Sequence, residues 1–333
     1  MLKRLQNFTQ KDWSILLIIL IVLSLVFGLV NPLFFSSTNM VNIVRTGMVY
    51  SIMAISVLLI MVASGIDISF MAIGSVAMYS TVKFCLTYGF DAPLIFIFGM
   101  ASLIGLTFGL INAFFVSKFE LPAFIVTLGT MNIIKGGMIL FLGTTYIVDI
   151  PSSMANLSRT FLITATAEDG SVTGLSVIVL IAVAIYLLIS LLLNYTKMGR
   201  NIYAVGGDLV AAKRAGIRTS TVLFFTYGLA GIIAAIGGVV HGTLFRTAVP
   251  GDIIGSELFV IAAVILGGAQ IGKGKGTVIG TFIGVLLITI IQNNLILLKV
   301  PTYYQQAVLG VLIILGTILQ LQKNNKGARY EAS

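Results

Sequence analysis

The chain alternates between long apolar runs and short segments rich in Gly, Pro or charged residues. A helix needs roughly 20 predominantly apolar residues to cross a bilayer, and most of these runs approach that length. Splitting the sequence at the breaks predicts an all-α integral membrane protein with ten spans. The predicted spans are residues 14–31, 41–62, 68–86, 93–117, 122–142, 174–195, 222–243, 257–270, 277–295 and 303–321.

Positive charges indicate the orientation of these spans, because cytoplasmic loops are enriched in Lys and Arg. An even number of spans places both termini on one side of the membrane. If that side is the cytoplasm, 14 of the 20 Lys and Arg residues lie inside and four lie outside. The remaining two, Arg45 and Lys135, fall within spans. The charge pattern therefore predicts that both termini are cytoplasmic.

The longest polar interruption is the segment 196–219, TKMGRNIYAVGGDLVAAKRAGIRT. Asp208 is a favourable N-cap, and Gly216 stands where a left-handed residue commonly ends a helix, so a helix of about two turns is predicted between them. One face of this helix would carry Val205, Leu209, Ala212 and Gly216, which are all small or apolar. This face is expected to dock on another surface. The alternative is a basic loop that rests on lipid headgroups.

Two segments suggest an internal repeat. Leu110–Thr130 and Ile290–Gly310 each contain an Asn near the end of a span, then a Lys, then a Pro that opens the next span. The predicted topology places the first turn inside and the second outside, so the two units would be inverted, as in many transporters. The alternative is coincidence, since Pro is common in the first turn of any helix.

Composition argues against several classes of function. With 58% hydrophobic and 9% charged residues, the chain does not have the composition of a soluble globular domain. Its net charge of +9 is explained by basic loops beside a membrane rather than by binding to nucleic acid. The only cysteine, Cys85, and the only histidine, His241, are expected to be packing residues. The segment 267–274, GGAQIGKG, lacks the Ser or Thr that completes a phosphate-binding loop. We therefore expect no catalytic residues, no metal site and no enzymatic activity.

Uncharged polar residues inside the spans are more informative. Hydroxyl and amide groups suit a neutral, polyhydroxylated solute, although they also form ordinary hydrogen bonds between membrane helices. Asp67 follows Gly65 at a possible break between spans, where unwound backbone could line a path, or it could simply cap the third span. The candidate substrate path consists of Asp67, Ser69, Asn112, Thr127, Thr130, Asn132 and Asn293.

Five stretches taken together resemble the permease subunits of bacterial ABC importers for simple sugars, a group that includes ribose, galactose, autoinducer-2 and nucleoside permeases. They are SGIDIS (64–69), LPAFIVTLGTM (121–131), GRNIYAVGGDLVAAKRAGI (199–217), GSELFVIAAVILGGAQIGKGKGTVIGTFIG (255–284) and VPTYYQQAVLG (300–310). The resemblance implies one permease domain over residues 1–333, with a type II importer fold of ten spans in the bacterial cell membrane. It also implies three partners: a second permease copy or paralogue, separate ATPase subunits and an extracytoplasmic solute-binding protein.

The resemblance further implies roles for individual residues. Segment 196–219 would be the cytoplasmic coupling element, with ATP and Mg²⁺ bound by the partner subunits and no cofactor on this chain. Its ATPase-coupling residues would be Gly199, Arg200, Gly206, Gly207, Asp208, Leu209, Ala212 and Gly216. Arg159 and Arg246 are expected to dock the binding protein.

The chain also departs from the family pattern, and these departures leave the solute open. Phe70 and Met71 stand where small residues are common, Phe259 stands where Asp is common, and Gln270 where Ser or Thr is common. A sugar or sugar-like solute is expected, with nucleosides or other small polar solutes as alternatives. A carrier driven by an ion gradient is a further alternative from a different class.

Overall fold

A computed structural model describes residues 14–166 and 172–301, together with residues 304–305, 307–308, 310–311 and 314. Within the described residues up to 301, twelve α-helices and one pair of strands have defined bounds. The helices are α1 Ser14–Val30, α2 Ser37–Ala63, α3 Phe70–Thr87, α4 Leu94–Lys118, α5 Ala123–Gly137, α6 Ser152–Arg159, α7 Val179–Tyr195, α8 Lys197–Gly207, α9 Leu209–Arg214, α10 Thr219–Phe245, α11 Glu257–Leu266 and α12 Val278–Leu297. The antiparallel strands are β1 Phe161–Thr166 and β2 Val172–Ser176. A 3₁₀ turn, Pro32–Phe35, precedes α2, and a π-helical turn, Met138–Leu142, extends α5.

Six of these elements are long and apolar enough to cross a membrane, and the bent pair α7 and α8, with 75° between the two helices, would make a seventh. The six are α2, α3, α4, α5 with its π-helical turn, α10 and α12, and each agrees with a predicted span to within a few residues. The prediction of ten spans is not confirmed. Helix α1 has 17 residues and α11 has only 10, and most of the predicted span 303–321 lies outside the described residues.

The predicted span 174–195 is wrong at its start. Residues 172–176 pair with β1 as a strand, and the helix begins only at Val179. The residues of β2 are apolar or small, so their hydropathy resembles that of the first residues of a membrane span. Pairing between strands depends on a partner elsewhere in the chain, which a run of apolar residues does not reveal.

The central helices pack closely because glycines face each other. Gly105 in α4 lies against Gly231 in α10, and Gly74 in α3 lies against Gly238 in α10, in each case with the backbones in direct contact. Small residues permit such close approach between membrane helices, where dispersion contacts replace the hydrophobic effect. Helix α2 is also central, and every residue from Ser51 to Ala63 in it is buried.

The loops between helices gather at two ends of the bundle. One end, which we call the coupling end, contains residues 64–69, 119–122, 196–218 and 267–277. There the Tyr203 hydroxyl donates to the Gly276 carbonyl over 2.9 Å. The alternation of spans predicted from sequence places these same loops on one side.

The opposite end, which we call the strand end, contains residues 88–93, 143–166, 172–178 and 246–256. Ile147 and Ala248 form an isolated antiparallel bridge there, and the Ser153 hydroxyl donates to the Ala92 carbonyl over 2.7 Å. The turn within the first proposed repeat unit, residues 119–122, is at the coupling end. The second unit continues beyond residue 301 into a segment that is described only in part, so the inverted repeat stays a prediction.

Candidate solute path and coupling surface

Helices α2 and α3 are separated by a short unwound segment, residues 64–69, which carries buried polar groups. Gly65 has a φ of +156°, which places the break at a residue without a Cβ atom. Asp67 is only 2% exposed, and its Oδ1 atom accepts hydrogen bonds from the Ser69 amide over 2.6 Å and from the Ser69 hydroxyl over 2.7 Å. Asp67 thus forms a local turn just before α3, whose N-cap is Ser69. The path role and the capping role both stay predictions.

Two neighbouring helices extend this cluster. The Asn112 side-chain amide, in α4, donates to the Ser69 hydroxyl over 3.0 Å, and the Thr130 hydroxyl, in α5, donates to the Asn112 side-chain oxygen over 2.6 Å. The Thr127 hydroxyl accepts from the Ile68 amide over 3.2 Å. Five of the seven predicted path residues therefore meet at the first turn of α3. Their bonds are mainly to one another or to nearby backbone, an arrangement that stabilises the contact between α3, α4 and α5.

Two predicted path residues lie elsewhere. Asn132 is exposed, and its amide donates to the Leu128 carbonyl within its own helix over 3.0 Å. The buried face of α5 carries Thr127, Thr130 and Ile134 at helical spacing. Position 132 lies about 200° around the helix from position 130, so Asn132 is on the opposite face. Asn293 is on α12, and its side-chain oxygen is buried without a hydrogen-bond partner. The seven residues therefore do not all meet in one place, and a solute path along them stays a prediction.

The predicted helix in the polar segment is present. Asp208 Oδ1 accepts from the Val210 amide over 2.8 Å and from the Ala211 amide over 2.9 Å, which caps α9. Gly216 follows with a φ of +79°. The sequence prediction missed α8, although Thr196 signalled its start: the Thr196 hydroxyl accepts from the Gly199 amide over 3.0 Å.

Only half of the face expected to dock on a partner is exposed, since Leu209 and Gly216 are accessible and Val205 and Ala212 are turned inward. Val205 and Ala212 are 3% and 4% exposed and belong to the chain's own apolar core. Asp208 ends α8 and begins α9, so Val205 and Leu209 do not lie on one continuous helix. The surface-facing apolar residues of α9 are Leu209 and Val210, which are 37% and 57% exposed.

The other predicted coupling residues also divide into buried and exposed ones. Gly199 and Gly206 are buried, whereas Arg200, Gly207, Asp208 and Gly216 are exposed. Lys213 forms an exposed ion pair with Glu120, with 2.9 Å between the ammonium nitrogen and Oε1. This hydrogen bond and the Lys213 charge hold the pKa of Glu120 below its ordinary value. The pair joins α9 to the loop between α4 and α5.

Arg159 and Arg246 are both exposed at the strand end. The Arg246 guanidinium donates from Nε to the Ser158 hydroxyl over 2.8 Å, which places it beside α6 and Arg159. Arg246 also lines a cavity of about 300 Å³, together with Arg45, Ser158 and residues of the two strands. Both arginines are therefore accessible at the strand end, and their role in docking a partner stays a prediction.

Comparison with known proteins places this arrangement in a family. Residues 39–316 match the family described as branched-chain amino acid transport system / permease component. The ribose import permease protein RbsC of Escherichia coli (strain K12) is 31% identical over 307 residues, which cover 92% of this chain and 93% of that protein. The ribose import permease protein RbsC of Haemophilus influenzae (strain ATCC 51907 / DSM 11121 / KW20 / Rd) is 31% identical over 90% of each chain.

A third relative has a different name. The autoinducer 2 import system permease protein LsrC of Yersinia pseudotuberculosis serotype O:1b (strain IP 31758) is 30% identical over 96% of this chain and 86% of that protein. No solved structure matches. The family match spans most of the chain and includes all six long apolar helices, so this chain belongs to that permease family and is a multi-pass membrane protein.

Proposed function

We propose that this permease is the membrane-spanning subunit of an ATP-driven importer that moves a ribose-like sugar into the cytoplasm by alternating access. The observation that carries the proposal is the similarity to ribose import permeases over at least 90% of both chains. Autoinducer-2 is the second candidate solute, favoured by the similarity to an autoinducer 2 permease. A nucleoside stays an alternative that rests on the sequence alone.

The proposed partners follow from the two ends of the bundle. An ATPase subunit would bind the exposed surface of α8 and α9 at the coupling end, and ATP and Mg²⁺ would bind to that partner rather than to this chain. The solute-binding protein would dock at the strand end on Arg159 and Arg246. A second permease copy or paralogue would complete a transporter of two ten-span subunits, each with both termini in the cytoplasm of a bacterial cell.

Reconstitution tests this proposal. The permease would be placed in liposomes with the ATPase and the binding protein of its import system, and uptake of radiolabelled D-ribose would be measured with and without ATP. We expect uptake that requires ATP and both partners. Uptake that needs only a proton or sodium gradient would contradict the proposal, and ATP-dependent uptake of autoinducer-2 but not of ribose would select the second candidate.

A further inference from the structure

A small cavity, lined by both polar and apolar side chains, lies between α2, α3 and α10, away from the Asp67 cluster. Its volume is about 100 Å³, and residues that line it include Thr46, Tyr50, Met71, His241, Asp252 and Ser256. Three separate parts of the chain supply the polar groups: the strand-end half of α2, the last turns of α10 and the loop that follows α10. None of these residues belonged to the predicted path, and His241 was expected to be a packing residue.

The loop after α10 reaches this cavity because it folds back into the bundle. The Gly251 amide donates to the hydroxyl of Ser75, a fully buried residue in the second turn of α3, over 2.8 Å. The Gly255 amide donates to the Glu257 carboxylate over 2.9 Å, at the start of the short helix α11. Non-helical backbone inside a membrane protein is stable where protein buries it or where it lines an aqueous cavity. Residues 246–256 are therefore the kind of non-helical segment that can line an aqueous path.

The polar groups of the cavity match the chemistry of a sugar. His241 Nε2 is 3.0 Å from Asp252 Oδ2, and both side chains keep part of their surface exposed, 15% and 28%. The Tyr50 phenol and the Ser256 hydroxyl belong to residues that line the same cavity. Carboxylate, imidazole and hydroxyl groups can accept or donate hydrogen bonds to sugar hydroxyls, and Met71 offers an apolar contact for C–H groups. Ionisable residues inside membrane spans commonly mark solute pathways.

Phe245 separates this cavity from a larger one at the strand end. The Phe245 ring lines both cavities, and its centroid lies 4.6 Å from the centroid of the His241 ring. The Arg45 guanidinium lies 5.6 Å from the centroid of the Phe245 ring, in the larger cavity. The two cavities are therefore neighbours that share one aromatic side chain, and the larger one leads to the surface that carries Arg246.

We infer that the smaller cavity is a contact site for a neutral, polyhydroxylated solute, which enters from the strand-end cavity past Phe245. Tyr50, His241, Asp252 and Ser256 would form hydrogen bonds with a few solute hydroxyls at a time, because the cavity is too small to enclose a whole monosaccharide as it stands. This inference rests on the proposed function for the class of solute. The presence of water in the cavity does not depend on the solute and is tested separately.

The first experiment measures water access. Thr46 lines the smaller cavity beside His241 and Asp252, whereas Val44, two residues earlier in α2, lines an apolar groove between α2, α7 and α12. Single cysteines at these positions, in a Cys85→Ser background, would be treated in lipid nanodiscs with a small charged thiol reagent. We expect Thr46→Cys to react roughly tenfold faster or more than Val44→Cys, because the reactive thiolate is disfavoured in an apolar environment. Equal rates, or faster reaction at position 44, would overturn the inference whatever the solute is.

The second experiment measures transport. Tyr50→Phe removes the cavity hydroxyl, and Tyr186→Phe is the matched control, because the Tyr186 hydroxyl donates to the Ser51 carbonyl in the apolar groove. In the reconstituted system we expect Tyr50→Phe to lower the maximal D-ribose uptake rate by about two- to tenfold, the usual effect of one lost hydrogen bond. Tyr186→Phe should stay close to wild type, and thermal unfolding should show that both variants are folded. Equal rates in wild type and both variants would refute the contact site, whereas a wild type that takes up no ribose would refute the proposed solute.

Discussion

Gly206 in α8 lies directly against the backbone carbonyl of Val62 in the last turn of α2, and a Cβ atom at position 206 would overlap that oxygen. At the next residue, Gly207, a Cβ atom would have the Lys273 carbonyl as its nearest neighbour, 4.0 Å away. Two adjacent glycines therefore have different roles. The first sets the distance between the coupling segment and the core helix α2, and the second faces open space at the end of α8.

Gly206→Ala should consequently destabilise the protein. Forcing a methyl group into a close backbone contact costs about 1–3 kcal/mol when the surroundings must shift. Thermal unfolding of the purified permease in detergent would measure the loss. Gly207→Ala is the control and should be neutral or slightly stabilising, because Ala favours a helix more than Gly does. Equal melting temperatures for the two variants would argue against the close contact.

Two residues of α9 distinguish a docking surface from a core contact. Val210→Glu changes an exposed side chain and should leave folding intact. If the ATPase covers this residue, the new charge is desolvated in the interface and should weaken binding. Most of the bound ATPase should then be released, since each 1.4 kcal/mol is about tenfold in affinity. Co-purification of the ATPase would measure this effect. Ala212→Glu buries a charge inside the chain itself, at a cost of several kcal/mol, and should lower the yield of folded permease. A Val210→Glu variant that retains the ATPase would place the partner elsewhere.

Cysteine labelling would determine the orientation. Asn156, in α6 at the strand end, and Gly207, at the coupling end, are both exposed. In a Cys85→Ser background, Asn156→Cys should react with an impermeant reagent in cells whose outer membrane is open, and Gly207→Cys should react only after lysis. Labelling of position 207 alone in intact cells would reverse the topology.

The ion pair between Lys213 and Glu120 should have a small, pH-dependent effect. The folded state lowers the pKa of Glu120 below its ordinary value of 4.5, so its contribution to stability is present above that value and is lost as the pH falls through the lowered pKa. We expect Lys213→Ala to reduce the melting temperature slightly at about pH 7 and less at about pH 4. Exposed pairs contribute little, so the difference should be modest. Lys273→Ala is the control, since Lys273 is exposed at the same end and has no ion pair among the described residues; a similar pH trend there would contradict the assignment.

Arg246 should influence how fast the binding protein associates. Charges at the rim of an interface mainly change the association rate and its dependence on salt. Arg246→Gln should therefore slow association of the binding protein at low ionic strength and flatten the salt dependence, as surface plasmon resonance would show. Arg159→Gln serves as a comparison on the neighbouring helix α6. Unchanged kinetics in both variants at every salt concentration would remove the arginines from the interface.

Much of this protein is determined by local sequence. Hydropathy over about 20 residues located six long helices, because each such helix satisfies its backbone hydrogen bonds internally and needs only an apolar surface. The cap at Asp208 and the left-handed Gly216 were predictable for a similar reason, since the residues that satisfy a helix end lie within a few positions of it. Cys85 is buried, as expected of a packing residue.

Only the tertiary structure decided which faces are buried. Ala212 points into the core, because neighbouring helices cover the face of α9 that carries it. Asn132 points away from the core, because neighbouring helices cover the other face of α5. The pairing of β2 with β1 and the cavity around His241 depend on segments far apart in the chain. Tyr50, His241 and Asp252 are ordinary residues in their local sequence, and they form a site only because the loop after α10 folds back against α2 and α3. Local patterns carry no information about such contacts, since these arise from packing between distant segments.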